Sequence, residues 1–118
     1  MKVYAFDVDE TLECSKGPIP VQALADMRAQ GHIVGICGNI AAFLKGVPDW
    51  YNYASFLTPF PGHTKHFCLA LLEKWTTADE YVFVGNVKGV SGASDDKGAA
   101  EKAGWRFIQE KDFAAGQR

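Results

Sequence analysis

Five places along the chain carry side chains able to do chemistry. Asp7 and Asp9 stand two residues apart at the end of an apolar run, with Thr11 two further on. Cys37-Gly38-Asn39 closes a second apolar run, Lys65 opens an amphipathic stretch, Asn86 closes the run YVFVG, and Asp95-Asp96 stand as an acidic pair. With the period of two of a strand, the side chains of Asp7 and Asp9 leave the same face. Carboxylates forced together repel, the more so if Asp95 and Asp96 arrive beside them, and need something to neutralise them. Mg²⁺ suits that task, because it takes oxygen ligands and keeps waters for a phosphate-bearing substrate. The alternative is a solvated acidic turn, an expensive use of an aspartate inside an apolar run.

The elements that must position these residues follow from hydrophobic patterning. Residues 2–8 read as a strand, 11–20 as a loop punctuated by Gly17, Pro18 and Pro20, and 21–30 as a helix stopped by Gly31. A second strand spans 32–37, a short helix 41–45 and a short strand 55–57. The clearest helix covers 64–75, where Phe67, Leu71, Leu72 and Trp75 make one apolar face. A strand at 80–85, a helix at 96–103 ended by Gly104, and a strand at 105–108 complete the alternation. Strands alternating with helices imply a mainly parallel sheet with right-handed crossovers. In such sheets the functional crevice lies beyond the carboxyl ends of the strands, where the polar residues named above fall.

Composition bounds the rest. At 118 residues, with 47% hydrophobic and 22% charged residues, the chain is the size of one domain (1–118) with a core of its own. A formal charge of −2 gives no electrostatic footprint for nucleic acid or an anionic membrane. No apolar run approaches the roughly 20 residues that cross a bilayer. The first ten residues, MKVYAFDVDE, are too acidic for a signal peptide, so a cytoplasmic location is expected. Cys14, Cys37 and Cys68 are odd in number and lack C-x-x-C spacing, which argues for free thiols rather than a zinc site or disulfides.

The segment from Val3 to Leu12, four residues of an apolar run followed by DVDETL, resembles the first motif of the haloacid dehalogenase-like hydrolase superfamily. The other motif positions follow in that family's order, so the resemblance spans almost the whole chain. It implies a three-layer, Rossmann-like α/β domain and a Mg²⁺-dependent phosphatase working through an aspartyl-phosphate. By that resemblance Asp7 is the nucleophile and Asp9 the general acid and base, so their environments must hold Asp7 ionised and Asp9 protonated at the moment of attack. Asp7 and the backbone carbonyl of Asp9 are the implied metal ligands, and Thr11 ties down the loop or simply caps a turn.

The remaining motifs match less evenly. Cys37 stands where the family has Ser or Thr donating to the phosphate; a thiol is a weak donor, which shifts phosphate binding to the N–H groups of Gly38 and Asn39. Lys65 fits the motif lysine that offsets charge on nucleophile and phosphate, or is a solvated helix-start lysine. Asn86 stands in place of an aspartate, as a neutral oxygen ligand or a donor behind the ligands. Asp95 or Asp96 is then expected to supply the missing metal carboxylate, unless Asp95 is a helix N-cap. His63 and His66 read as surface or cap residues.

No segment is long enough for a large cap domain, so the site should be open. That suits a phosphorylated small molecule, an exposed macromolecular end, or closure by a second copy of the chain. The aromatic group Phe43, Trp50, Tyr51, Tyr53, Phe56 and Phe60 reads as packing, ahead of a lid or stacking role. Two other readings compete: a catalytically weak phosphate- or partner-binding module on the same fold, and a receiver-type phospho-acceptor, which SFLTP disfavours by lacking a carboxylate.

Overall fold

A computed structural model describes residues 1–118. Its five strands are β1 (Lys2–Phe6), β2 (Ile33–Cys37), β3 (Leu57–Thr58), β4 (Glu80–Gly85) and β5 (Arg106–Gln109). They form one sheet in the order β3-β2-β1-β4-β5, with every neighbouring pair parallel. The chain builds outward from β1 to β3 and then returns to the other side of β1, so the switch point lies between β1 and β4. The helices are α1 (Gln22–Ala29), α2 (Ile40–Gly46), α3 (Lys65–Trp75), α4 (Asp96–Ala103) and α5 (Glu110–Ala114). Short 3-10 turns occupy Glu13–Ser15 and Trp50–Asn52.

The period of two along the strands divides the core. Tyr4, Phe6, Val34, Ile36, Val82, Val84 and Ile108 face Leu24 and Met27 of α1, Phe43 of α2 and Phe113 of α5. Val3, Ala5, Cys37 and Phe83 face Leu69 and Leu72 of α3 and Ala100 of α4. This is the expected three-layer α/β arrangement, with a sheet that is wholly rather than mainly parallel. Strands buried on both faces explain why VYAF, IVGIC and YVFVG are near-continuous apolar runs.

Several local expectations shift. β1 stops at Phe6, and α5 and the two 3-10 turns follow no clear periodic signal. The apolar face of α3 is not the one that its large side chains suggest: Cys68, Leu69 and Leu72 are buried, whereas Phe67 and Trp75 are 44% and 64% exposed. The reason lies at the helix start. Thr64 Oγ1 caps the helix by accepting from Phe67 N–H at 3.2 Å, and Lys65 turns inward to two carboxylates. Residues 68, 69 and 72 lie three, four and seven positions beyond Lys65 and therefore share its face.

The aromatic segment is divided between core and surface. Phe43 is buried, and Trp50, Tyr53 and Phe56 pack against the core. Phe56 lies flat on the sheet because Gly35 carries no Cβ; one there would come within 2.5 Å of the ring. Tyr51 and Phe60 are exposed. The segment between β2 and α3 holds only α2, a 3-10 turn and β3, with no cap domain. No helix is long and apolar enough to cross a membrane.

Candidate active site

Asp7 sits one residue past β1, still tied to the sheet by its N–H to Val84 O at 2.9 Å. It continues the series Val3, Ala5, so its side chain points to the α3–α4 face, and it is only 1% exposed. The chain then turns: the N–H groups of Thr11 and Leu12 both return to Val8 O, and Glu10 adopts φ 58°. Asp9 therefore belongs to the turn, and the shared strand face expected for the two carboxylates ends at Asp7.

Three charges converge behind that turn. Lys65 Nζ donates to Asp7 Oδ1 at 2.9 Å and to Asp96 Oδ1 at 2.8 Å. The other oxygen of Asp96 accepts from Asn86 N–H at 2.8 Å. Gly85 makes this possible, since a Cβ there would lie 2.5 Å from Asp96 Oδ2. One half-buried cation thus faces two buried carboxylates at the carboxyl ends of β1 and β4, beside the switch point. Burial, then the neighbouring charge of Asp96, raises Asp7 to about 7 despite the opposing pull of Lys65. For Lys65, desolvation pulls downward, but Asp7 and Asp96 outweigh it and the ammonium is held above its ordinary value.

Asp9 lies in a different setting. Ser15 Oγ donates to its Oδ1 at 2.6 Å and Asn39 Nδ2 to its Oδ2 at 3.1 Å. These two hydrogen bonds hold its carboxyl below the usual range. The two aspartates are therefore separated in acidity, but in the order opposite to that expected for a resting nucleophile and acid.

Thr11 connects the groups. Its hydroxyl lies 3.4 Å from both Asp7 Oδ2 and Asn86 Oδ1. Both distances exceed those of a good O–H···O bond, and one proton cannot satisfy two acceptors. Asn86 is oriented by its amide donors, which reach Glu10 O at 3.2 Å and Ser91 O at 3.4 Å. Two hard oxygens therefore flank the Thr11 hydroxyl weakly satisfied, a donor set that suits a small divalent cation together with main-chain oxygen and water. No three His, Cys, Asp or Glu side chains gather as a metal group. Both oxygens of Asp96 are already engaged, and Asp95 is an exposed N-cap accepting from Gly98 N–H at 3.1 Å. Asp96 is thus engaged in ion pairing and Asp95 in capping α4.

Phosphate-binding groups also rearrange. Gly38 N–H is engaged with Thr58 O at 3.0 Å and is not free for an anion, whereas the N–H groups of Val8, Asp9 and Asn39 have no acceptor within the protein. Gly38 instead lets the end of β1 approach closely: a Cβ there would overlap Asp7 Oδ1 and come within 2.9 Å of Val8 N. Cys37 is buried, its Sγ 3.8 Å from Lys65 O, and burial pushes its thiol up to about 12. It is an inert wall residue. The free amides of Val8 and Asp9 escaped sequence reasoning, which assigned this task to the second loop; a D-x-D after a strand is a signal for a turn that exposes them.

Searches against family models, curated proteins and solved structures give no match to this chain.

Proposed function

We propose that this protein is a Mg²⁺-dependent phosphomonoesterase that forms an aspartyl-phosphate on Asp7. The observation that carries the reading is the convergence of Asp7, Lys65 and Asp96, with Asn86 and Thr11, at the carboxyl ends of β1 and β4. The resemblance of VYAFDVDETL to the haloacid dehalogenase-like motif agrees with it. Asp7, Asn86 and the main-chain carbonyl of Asp9 would hold the cation, which would supply charge neutralisation between an anionic nucleophile and an anionic phosphoryl group.

The chain's own residues account for the remaining steps. The unpaired N–H groups of Val8, Asp9 and Asn39 receive the phosphoryl oxygens. Asp7 attacks phosphorus while the bond to the leaving oxygen breaks, and Lys65 offsets the charge that collects there. Asp9 gives a proton to the leaving alkoxide and then takes one from the water that cleaves the acyl phosphate. Holding the cation would favour the ionised, nucleophilic form of Asp7 with release of its proton to solvent, while a phosphate dianion drawn in beside Asp9 raises the pKa of that carboxyl by like-charge repulsion and lets it carry the proton for the leaving oxygen.

The test is Mg²⁺-dependent hydrolysis of p-nitrophenyl phosphate by the purified protein, with Asp7→Asn as the control. Turnover that survives this substitution or EDTA overturns the proposal.

A second reading, a weakly active or inactive phosphate-binding module, is favoured by two departures: Asn86 lacks a carboxylate and Cys37 is a buried thiol rather than a hydroxyl. It predicts stabilisation by phosphate or Mg²⁺ without turnover, and activity appearing only in the double variant Cys37→Ser, Asn86→Asp.

A further inference from the structure

One cleft touches the proposed chemistry directly. It has a volume of about 460 Å³ and is lined by Asp9, Glu10, Ser15 and Lys16, with no apolar residue. The volume lies within the range of small-molecule sites, but the lining does not, since such sites are mostly apolar. The loop that forms it has a constrained backbone. Glu10 and Lys16, at φ 58° and 69°, are the two non-glycine residues of the chain in the left-handed region. Glu10 N–H donates to Ser15 O at 2.8 Å, which brings the two ends of the loop together. Such conformations persist where the surrounding structure enforces them, and they gather at ligand-binding sites.

The charges in the cleft are uncommitted. Glu10 and Lys16 are exposed, and neither takes part in an ion pair although their backbones adjoin. Both oxygens of Asp9, by contrast, are engaged by Ser15 and Asn39. A residue that protonates a leaving oxygen must touch it, so the leaving group of the proposed reaction lies on the side of Asp9, where this cleft opens.

We infer that the cleft bounded by Glu10, Ser15 and Lys16 is the leaving-group site, and that it selects a small polyhydroxylated alcohol over an aromatic one. This rests on the phosphatase reading and specifies its substrate class. Each hydroxyl of a polyol both donates and accepts, which matches a free carboxylate beside a free ammonium. An aryl group would bury its ring against charged groups and strip them of water without replacing the lost hydrogen bonds.

The experiment compares kcat/KM for glucose 6-phosphate and glycerol 3-phosphate with that for p-nitrophenyl phosphate, in the wild type and in Glu10→Gln and Lys16→Met. The polyol-to-aryl ratio is expected to exceed ten in the wild type and to fall at least tenfold in each variant. A wild-type ratio below one, or ratios unchanged within twofold in both variants, overturns the inference. Glu10→Gly, which removes the side chain while suiting φ 58°, guards against a folding defect and should repeat the Glu10→Gln result. Thermal shifts supply a readout independent of turnover: glucose 6-phosphate should raise Tm more than inorganic phosphate does, and Lys16→Met should erase that difference. Aryl hydrolysis without polyol preference sinks the cleft assignment alone. A Lys16-dependent shift without any turnover retains the cleft and sinks the phosphatase.

Discussion

Replacing Asp7, the proposed nucleophile, should make the protein more stable in the absence of divalent cations. Asp7 rises from an ordinary 3.8 to about 7 because it is buried and stands beside Asp96. Between those two values the folded protein holds a proton that the unfolded chain has released, so the contribution of this group to stability falls as pH rises through that window. Below pH ~4 both states are protonated and no penalty exists; above pH ~7 it is complete. About three pKa units at 1.36 kcal/mol each set a ceiling of about 4 kcal/mol. Asp7→Asn removes the charge while keeping the shape and leaves Lys65 paired one-to-one with Asp96. The expected gain over wild type is about 2–4 kcal/mol at pH 8, shrinking towards zero at pH 4. Urea melts in EDTA at pH 4, 6 and 8 measure it. Adding Mg²⁺ at pH 8 should close much of the gap by stabilising only the wild type, by about 2.7 kcal/mol at a hundredfold excess over Kd. A variant no more stable than wild type at pH 8, or a gain independent of pH, would refute the argument that a buried carboxylate is held there against its solvation.

Removing the cation should do the reverse. Lys65→Met leaves Asp7 and Asp96 facing each other buried and is expected to destabilise by about 3–5 kcal/mol at pH 8, with the loss smaller in acid melts. Gly85→Ala places a Cβ 2.5 Å from Asp96 Oδ2; it should lower stability by about 1–3 kcal/mol in chemical denaturation and reduce turnover, as overpacking does. Thr11→Val removes the one hydroxyl between Asp7 and Asn86 and should cost about 1–2 kcal/mol in thermal melts while weakening Mg²⁺ retention by calorimetry.

The sheet was legible because its strands are buried on both faces: runs such as VYAF and YVFVG have no polar interruption, and β4 and α4 begin and end where their patterning says. Elements set by tertiary contact were harder. The residues of β3 acquire their two-residue pairing from the exposed edge of β2, with Leu57 opposite Ile36 and Thr58 opposite Cys37. Helix α3 shows the same limit in reverse. Size and spacing favour Phe67, Leu71, Leu72 and Trp75 as its buried face, of which Leu72 alone is buried; an ion pair at its first residue fixes the rotation, and an interaction over 58 residues of sequence leaves no local periodic trace.

The site was readable as a set of positions more than as a set of roles. Chain order and the strand-end rule brought Asp7, Lys65, Asn86 and Asp96 into one neighbourhood, since parallel strands must deliver their carboxyl ends to one edge. What each carboxylate does depends on which donors it meets, and those come from distant loops. Asp95 and Asp96 are adjacent and identical in chemistry; one turn of backbone gives the first to the Gly98 amide and the second to Lys65 and the Asn86 amide. Asp7 and Asp9 are likewise distinguished by partners rather than by type. Lys65 and Asp96 act on Asp7 in opposite directions and burial decides the outcome, whereas Ser15 and Asn39 both stabilise the charged form of Asp9. Hydrogen-bond donors alone can hold a half-exposed aspartate ionised, but a buried one beside a second carboxylate needs more positive charge than a single lysine. That deficit of charge around Asp7 is the physical reason to look for a cation there.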